Sequence, residues 1–366
     1  MKNKKNFGKN FLTLVWTGVR RNYENLDDNI ARRLDENENK SGVEIHLSKM
    51  FSAVFTHHTK DEADRLFIVG TKQTTPSLAR VSSRPVKPWF FSRVFVVLAL
   101  SFTMLMLLLN VFKSDKAIPG LIFIGSLAVP FSLLMMFFEI NVYQNISIRQ
   151  VMITFLVGGI LSLLVTMSFY IALPIKTHES ITAALLVGVV EELAKCVVVI
   201  IFVNSYKLNY IFNGMLIGAA IGAGFSVFES SGYVSEYGLA TIFVRSFQAI
   251  GTHTIWAAII GGAVILGKAR KKPFTVRDFF TNPRFFVFLI LIIALHTFWD
   301  WDIPGTGIMV SLTQEFIDVV IGWFAIFVLI DAGLREVKTL QGQIIINKSE
   351  SKILRRVIRR RKGVKN

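Results

Sequence analysis

The sequence predicts an all-α polytopic membrane protein: about eight transmembrane helices in a bundle enclosing a polar cavity, with a small cytoplasmic N-terminal segment. Three observations predict it. Hydrophobic residues make up 52% of the 366, 32 of them phenylalanine, and the mean hydropathy of +0.51 is too high for a soluble domain of this length. Apolar stretches of spanning length recur from residue 90 onward. In the middle of one of them, 181–203, Glu191 and Glu192 stand side by side with Lys195 one turn on. Charged groups at that depth are costly, and a chain that keeps them there uses them.

Residues 1–88 are polar and show no basic start followed by a short apolar run, so no cleaved signal peptide is expected and insertion begins at an internal segment. Within them, Phe51, Val54 and Phe55 have helix-like spacing, and 66–69 reads as a short strand ending at Gly70. Adjacent side chains diverge on a helix, so His57 and His58 read as a solvated pair rather than metal ligands. The charge-rich stretch 22–40 reads as solvated or disordered. Spanning helices are expected near 90–112, 117–138, 151–173, 180–203, 210–229, 240–266, 285–302 and 308–332. The last is the weakest, because Glu315 and Asp318 fall in its first half. The chain thus divides into an N-terminal segment (1–88), a transmembrane domain (89–338) and a basic cytoplasmic tail (339–366).

The net charge of +16 is concentrated at the two ends and in the loop 268–284. That placement points to topology and anionic lipid headgroups at the cytoplasmic face, not to nucleic acid. With the loop and the tail inside, an even number of helices puts both termini in the cytoplasm and leaves the short loops 178–180, 230–237 and 302–305 outside. A lone cysteine, Cys196 in an apolar segment, excludes a disulfide framework and a cysteine-based zinc site.

Three polar sets stand out within the apolar segments. Glu191 and Lys195 are four apart and share a helix face, while Glu192 is rotated by about 100° and can orient a partner on another helix; a buried ion pair of purely structural purpose is the alternative. Glu229 and Tyr233 share a face at the end of the fifth helix, where an interfacial tyrosine is also common. His296 and Asp300 have the spacing at which a carboxylate orients an imidazole, and His253 lies mid-span on the sixth helix beside Gly251. Each histidine alone could be an interhelical hydrogen bonder; with two glutamates at comparable depth they make an acid/base constellation in an outward-opening cavity. Gly214, Gly218 and Gly222 form a small-residue stripe that reads as a packing face.

In this order Glu191-Glu192-x-x-Lys195, Phe228-Glu229-x-x-x-Tyr233 and His296-x-x-x-Asp300 resemble the PrsW family of bacterial intramembrane proteases, itself distantly similar to the CAAX prenyl endopeptidases, over residues 90–334. His253 matches a further mid-helix histidine of the wider superfamily, but Ala249 stands where the prenyl endopeptidases have phenylalanine. Lys195 likewise replaces an arginine one residue later, which argues against a prenylated substrate. The resemblance implies a multi-pass protein of the inner (cytoplasmic) membrane. It implies a single-pass membrane-protein substrate, such as an anti-sigma factor, cut near its outer juxtamembrane segment.

Peptide hydrolysis needs a water, a base and a donor to the developing oxyanion. On this reading Glu191 is the base, Glu192 orients it or a histidine, and His253 and His296 position water and stabilise the oxyanion, with Lys195, Glu229, Tyr233 and Asp300 in support. The alternative uses Glu191, His253 and His296 as zinc ligands. The absence of a compact ligand motif favours the route with no cofactor. Buried Glu, Lys and His also describe a proton-coupled transporter, but no second copy of the glutamate pair suggests an inverted repeat. A catalytically silent receptor on the same fold is the third reading. Substrate, activating signal and oligomeric state are not legible.

Overall fold

The computed structural model describes residues 47–173, 180–303 and 308–363, and helix is the only regular secondary structure among them. In chain order the main helices are α1 (Lys60–Phe67), α2 (Phe90–Asn110), α3 (Ile118–Ile140), α4 (Ile148–Ala172, with a π-helical stretch over Thr154–Gly158) and α5 (Ile181–Ser205). They continue with α6 (Ile211–Tyr237), α7 (Thr241–Gln248), α8 (His253–Gly267), α9 (Val276–Thr281), α10 (Pro283–Asp300) and α11 (Ile308–Gly363). Among the described residues, seven segments are long and apolar enough to cross a bilayer: α2, α3, α4, α6, α7 with α8, α10 and the apolar part of α11. The 25-residue α5 also has the length, but it carries Glu191, Glu192 and Lys195.

Side-chain exposure sorts the helices into layers. α2 buries none of its residues and presents Val97, Leu100 and Met104, each more than 60% exposed, as a surface that suits lipid. At the centre, α8 is buried throughout, and so is most of α6. Their contact is made by the glycine stripe: a Cβ on Gly218 would lie 2.0 Å from the carbonyl oxygen of Ala257, and one on Gly222 would lie 2.2 Å from that of His253. Absence of side chains lets the two backbones touch, and it seats the start of α8 against α6.

The expected single helix over 240–266 is broken. α7 ends at Gln248, the chain bends through Ile250 and Gly251, and α8 begins at His253, so this histidine opens a helix rather than lying within one. Gly251 permits the bend, since a Cβ there would meet Val319 of α11 at 2.4 Å. The freed carbonyl of Ile250 accepts a hydrogen bond from the indole of Trp323 at 3.1 Å.

Other expectations change as well. Residues 66–69 are the end of α1 and a turn, not a strand, because the capping box of Thr59 and Glu62 starts a helix that carries through Phe67. His58 is half-buried and stacked on Trp89 at 3.8 Å rather than solvated, and it also bonds to the carbonyl oxygen of Ala53. The stretch 22–40 lies outside the described residues. Residues 47–88 pack on the bundle: Gly70 donates to the carbonyl of Gln144, and the Gln341 amide donates to those of Leu78 and Val81. Glu139 on α3 accepts the backbone N–H groups of Trp89, Phe90 and Phe91, which caps α2. The helix α11 continues without a break through residue 339, where the tail was expected to begin. Asp318 is buried inside the bundle, and the half-buried Glu315 accepts a hydrogen bond from the Gln248 amide at 2.8 Å.

Candidate active site

α4, α5, α6, α8 and α10 bring their polar residues to one cavity of about 510 Å³, reached also by α7. Glu191 lines it together with Tyr170, Glu229, Tyr233, Arg245, His253, His296 and Asp300. Glu192 and Lys195 are fully buried behind it. The offset of one residue along α5 therefore sends one carboxylate to the cavity and its neighbour to α10.

There the Glu192 Oε1 lies 2.7 Å from Nδ1 of His296 and 2.7 Å from the Lys195 ammonium. Lys195 stands farther from Glu191, at 3.5 Å, although that is the residue whose helix face it shares at i, i+4. Its ammonium also sits 2.9 Å from Nδ1 of His253 and 4.3 Å from the Phe225 ring centroid. Nε2 of His296 is 3.2 Å from Asp300 and 3.7 Å from Glu191. Nε2 of His253 is 2.8 Å from Glu229.

These contacts assign each imidazole. An ammonium has only protons to give, so Nδ1 of His253 accepts from Lys195, and its Nε2 proton goes to Glu229. Nδ1–H of His296 donates to Glu192, and Nε2 faces the carboxylates of Asp300 and Glu191, which can accept from it when it carries a proton. Both rings are thus held from behind by a carboxylate, the arrangement by which metal-binding histidines are oriented.

Two residues of the site were not singled out from sequence. Tyr170 of α4 donates to Oε1 of Glu191 at 2.7 Å. Arg245 of α7 is paired with Glu229 and lies over the Tyr233 ring at 4.4 Å. Glu229, two turns before the end of α6, therefore pairs with Arg245 and His253. An arginine in an apolar segment is the signal that could have found Arg245; a tyrosine near a helix end looks like any interfacial aromatic and offers none for Tyr170.

One potential ligand atom from each of Glu191, His253 and His296 lies within 4.8 Å of the other two. One carboxylate and two imidazoles are a donor set used by catalytic zinc, and an ion held there would take the Nδ1 lone pair of His253 in place of the Lys195 ammonium. Sequence disfavoured a metal because no compact motif is present; the three ligands come from three helices and meet only in the fold.

A sequence model of the PrsW family, described as intramembrane metalloproteases, matches residues 147–330. Among curated relatives, the protease PrsW of Halalkalibacterium halodurans is 24% identical over 179 residues, 48% of this chain and 80% of that protein. The protease PrsW of Shouchella clausii is 25% identical over 172 residues, 46% of this chain and 76% of that one. No solved structure matches the chain. The matched region begins just before α4 and ends within α11, so it takes in every helix that lines the cavity, and the chain belongs to the PrsW family of intramembrane metalloproteases.

Proposed function

We propose that the protein hydrolyses a peptide bond of a single-pass membrane protein at Glu191, His253 and His296, and that these three side chains hold a zinc ion. The observation that carries this reading is the convergence of their ligand atoms within 4.8 Å. Zinc held there supplies Lewis acidity to a water and to the scissile carbonyl. Glu192 and Glu229 fix the two rings, and the Tyr170 hydroxyl fixes the Glu191 carboxylate. Asp300 opens onto the cavity and is placed to take the proton of the attacking water and pass it to the departing amine as the C–N bond breaks.

A second reading is favoured by one observation: the Lys195 ammonium already lies 2.9 Å from His253 and 3.5 Å from Glu191, where a further cation meets repulsion. In that route Glu191 itself takes the proton of water and returns it to the amine, and His253 and His296 stabilise the oxyanion.

In either route α5 crosses the membrane as an eighth span, its charged residues turned inward at no more than 5% exposure. The basic loop and both termini lie in the cytoplasm and the cavity faces outward in the cytoplasmic membrane, which the positive residues of 268–284 support. The resemblance makes an anti-sigma factor the substrate class to try first. Cleavage of a panel of single-pass substrates by the purified protein tests the assignment: Glu191→Gln and His296→Ala should each lose at least about 100-fold in rate. Full activity in either variant contradicts it.

A further inference from the structure

A second built site lies roughly 21 Å from Glu191 along α5, at the C-terminal end of that helix. The α5–α6 turn and the α8–α9 turn enclose a pocket of about 390 Å³ lined by Lys207, Lys268, Lys271 and Lys272, with no acidic residue in its wall. Lys207 and Lys271 both adopt left-handed backbone conformations, φ 53° and 61°, which close the two turns around it. Asn209 stitches the turns together: its Oδ1 accepts from Lys268 Nζ at 3.0 Å and from the Lys271 N–H at 2.6 Å, and its amide donates to the carbonyl of Lys207 at 2.7 Å. Asn204 and Phe274 add a reciprocal pair of hydrogen bonds beneath.

Lys268 is the unusual member. Its side chain is buried, and its ammonium donates to Asn209 and to the carbonyl of Lys272, both neutral acceptors. Among the described residues no carboxylate pairs with it. Burial pushes the ammonium down to about 8, and the charges of Glu336 and Asp278 offset this only in part. A buried cation whose hydrogen-bond contacts are both neutral, beside three exposed lysines in a walled pocket, is arranged for an anion supplied from outside.

We propose that this pocket binds the phosphate group of an anionic phospholipid. The setting favours a lipid as the source of the phosphate. The pocket lies where α5 and α8 end, the level of the headgroups in a bilayer these helices span. From its rim, Ile201 and Val197, each nearly half exposed, run along α5 as a track for an acyl chain. Val276 and Phe280, both more than 60% exposed, flank it on α9.

The test is native mass spectrometry of the delipidated full-length protein, given phosphatidylglycerol or phosphatidylcholine with the same acyl chains. The native chain should retain phosphatidylglycerol at least about tenfold better, and the triple variant Lys207→Gln, Lys271→Gln, Lys272→Gln, altered only at exposed positions, should lose most of that preference. Lys268→Met, with its melting temperature as a check on folding, should lose it as well; if that variant does not fold, the triple variant decides. Equal retention of the two lipids, or a preference that survives in the triple variant, overturns the proposal. Displacement of phosphatidylglycerol by millimolar inorganic phosphate overturns the lipid source and leaves a site for soluble phosphate.

Discussion

Nδ1 of His296 and Oε1 of Glu192 lie 2.7 Å apart although 104 residues separate them in the chain. This contact joins α10 to α5 and gives the two adjacent glutamates different tasks: Glu191 meets the cavity, and Glu192 sets the ring beside it. Glu192→Gln should therefore lower both cleavage rate and metal content by about 10- to 100-fold while leaving the protein folded. Melting temperature and metal analysis of the variant check this; an unchanged rate contradicts the role.

Arg245 acts one step farther out, on the carboxylate that holds His253. Arg245→Gln should reduce cleavage by about 10-fold or more, and Arg245→Lys should restore part of the loss, since it keeps the charge but not the planar guanidinium. Comparison of kcat with KM separates this from substrate binding: a fall in KM-dependent affinity alone would contradict a positioning role.

The glycine stripe offers a mechanical test. A side chain at Gly218 meets the backbone of Ala257 at 2.0 Å, so α8 must move and His253 with it. Gly218→Val should cost about 1–3 kcal/mol in stability and most of the activity. Gly232→Ala on the same helix meets nothing within 4 Å and should leave both intact or raise stability slightly. Thermal unfolding in detergent distinguishes them.

Lys268 sets a pH dependence. Its ammonium titrates at about 8 in the fold and at about 10.4 in an unfolded chain. Between these values the unfolded state binds more protons, so the stability of the delipidated protein should rise with pH from about 8 to about 10.4. Lys268→Met should abolish that rise; a profile identical to the native one contradicts the assignment.

These outcomes also show what a sequence can hold. The spanning helices were legible because a bilayer imposes length and apolarity on each of them. Glu191, Glu192, His253 and His296 were legible because charge and imidazole stand out in such segments. The break between α7 and α8 was not, since Gly251 permits a bend but only contact with Val319 and Trp323 shows it to be used. Nor could spacing show that Lys195 lies closer to Glu192 at i, i+3 than to Glu191 at i, i+4, because His296 and His253 on other helices decide how the ammonium is shared. The Glu191, His253 and His296 cluster belongs to the same class: its members are 62 and 43 positions apart in sequence, and only the packing of α8 and α10 against α5 makes them neighbours.

The central claim is that these three residues form one metal-dependent reacting centre. The most direct measurement is zinc content and cleavage on the same purified sample, before chelation, after chelation and after zinc is returned. About one zinc per chain is expected, with loss of cleavage on loss of metal, recovery of both together, and no tight zinc in Glu191→Gln or His296→Ala. Undiminished cleavage by a metal-free sample would contradict it and leave Glu191 as the base acting alone.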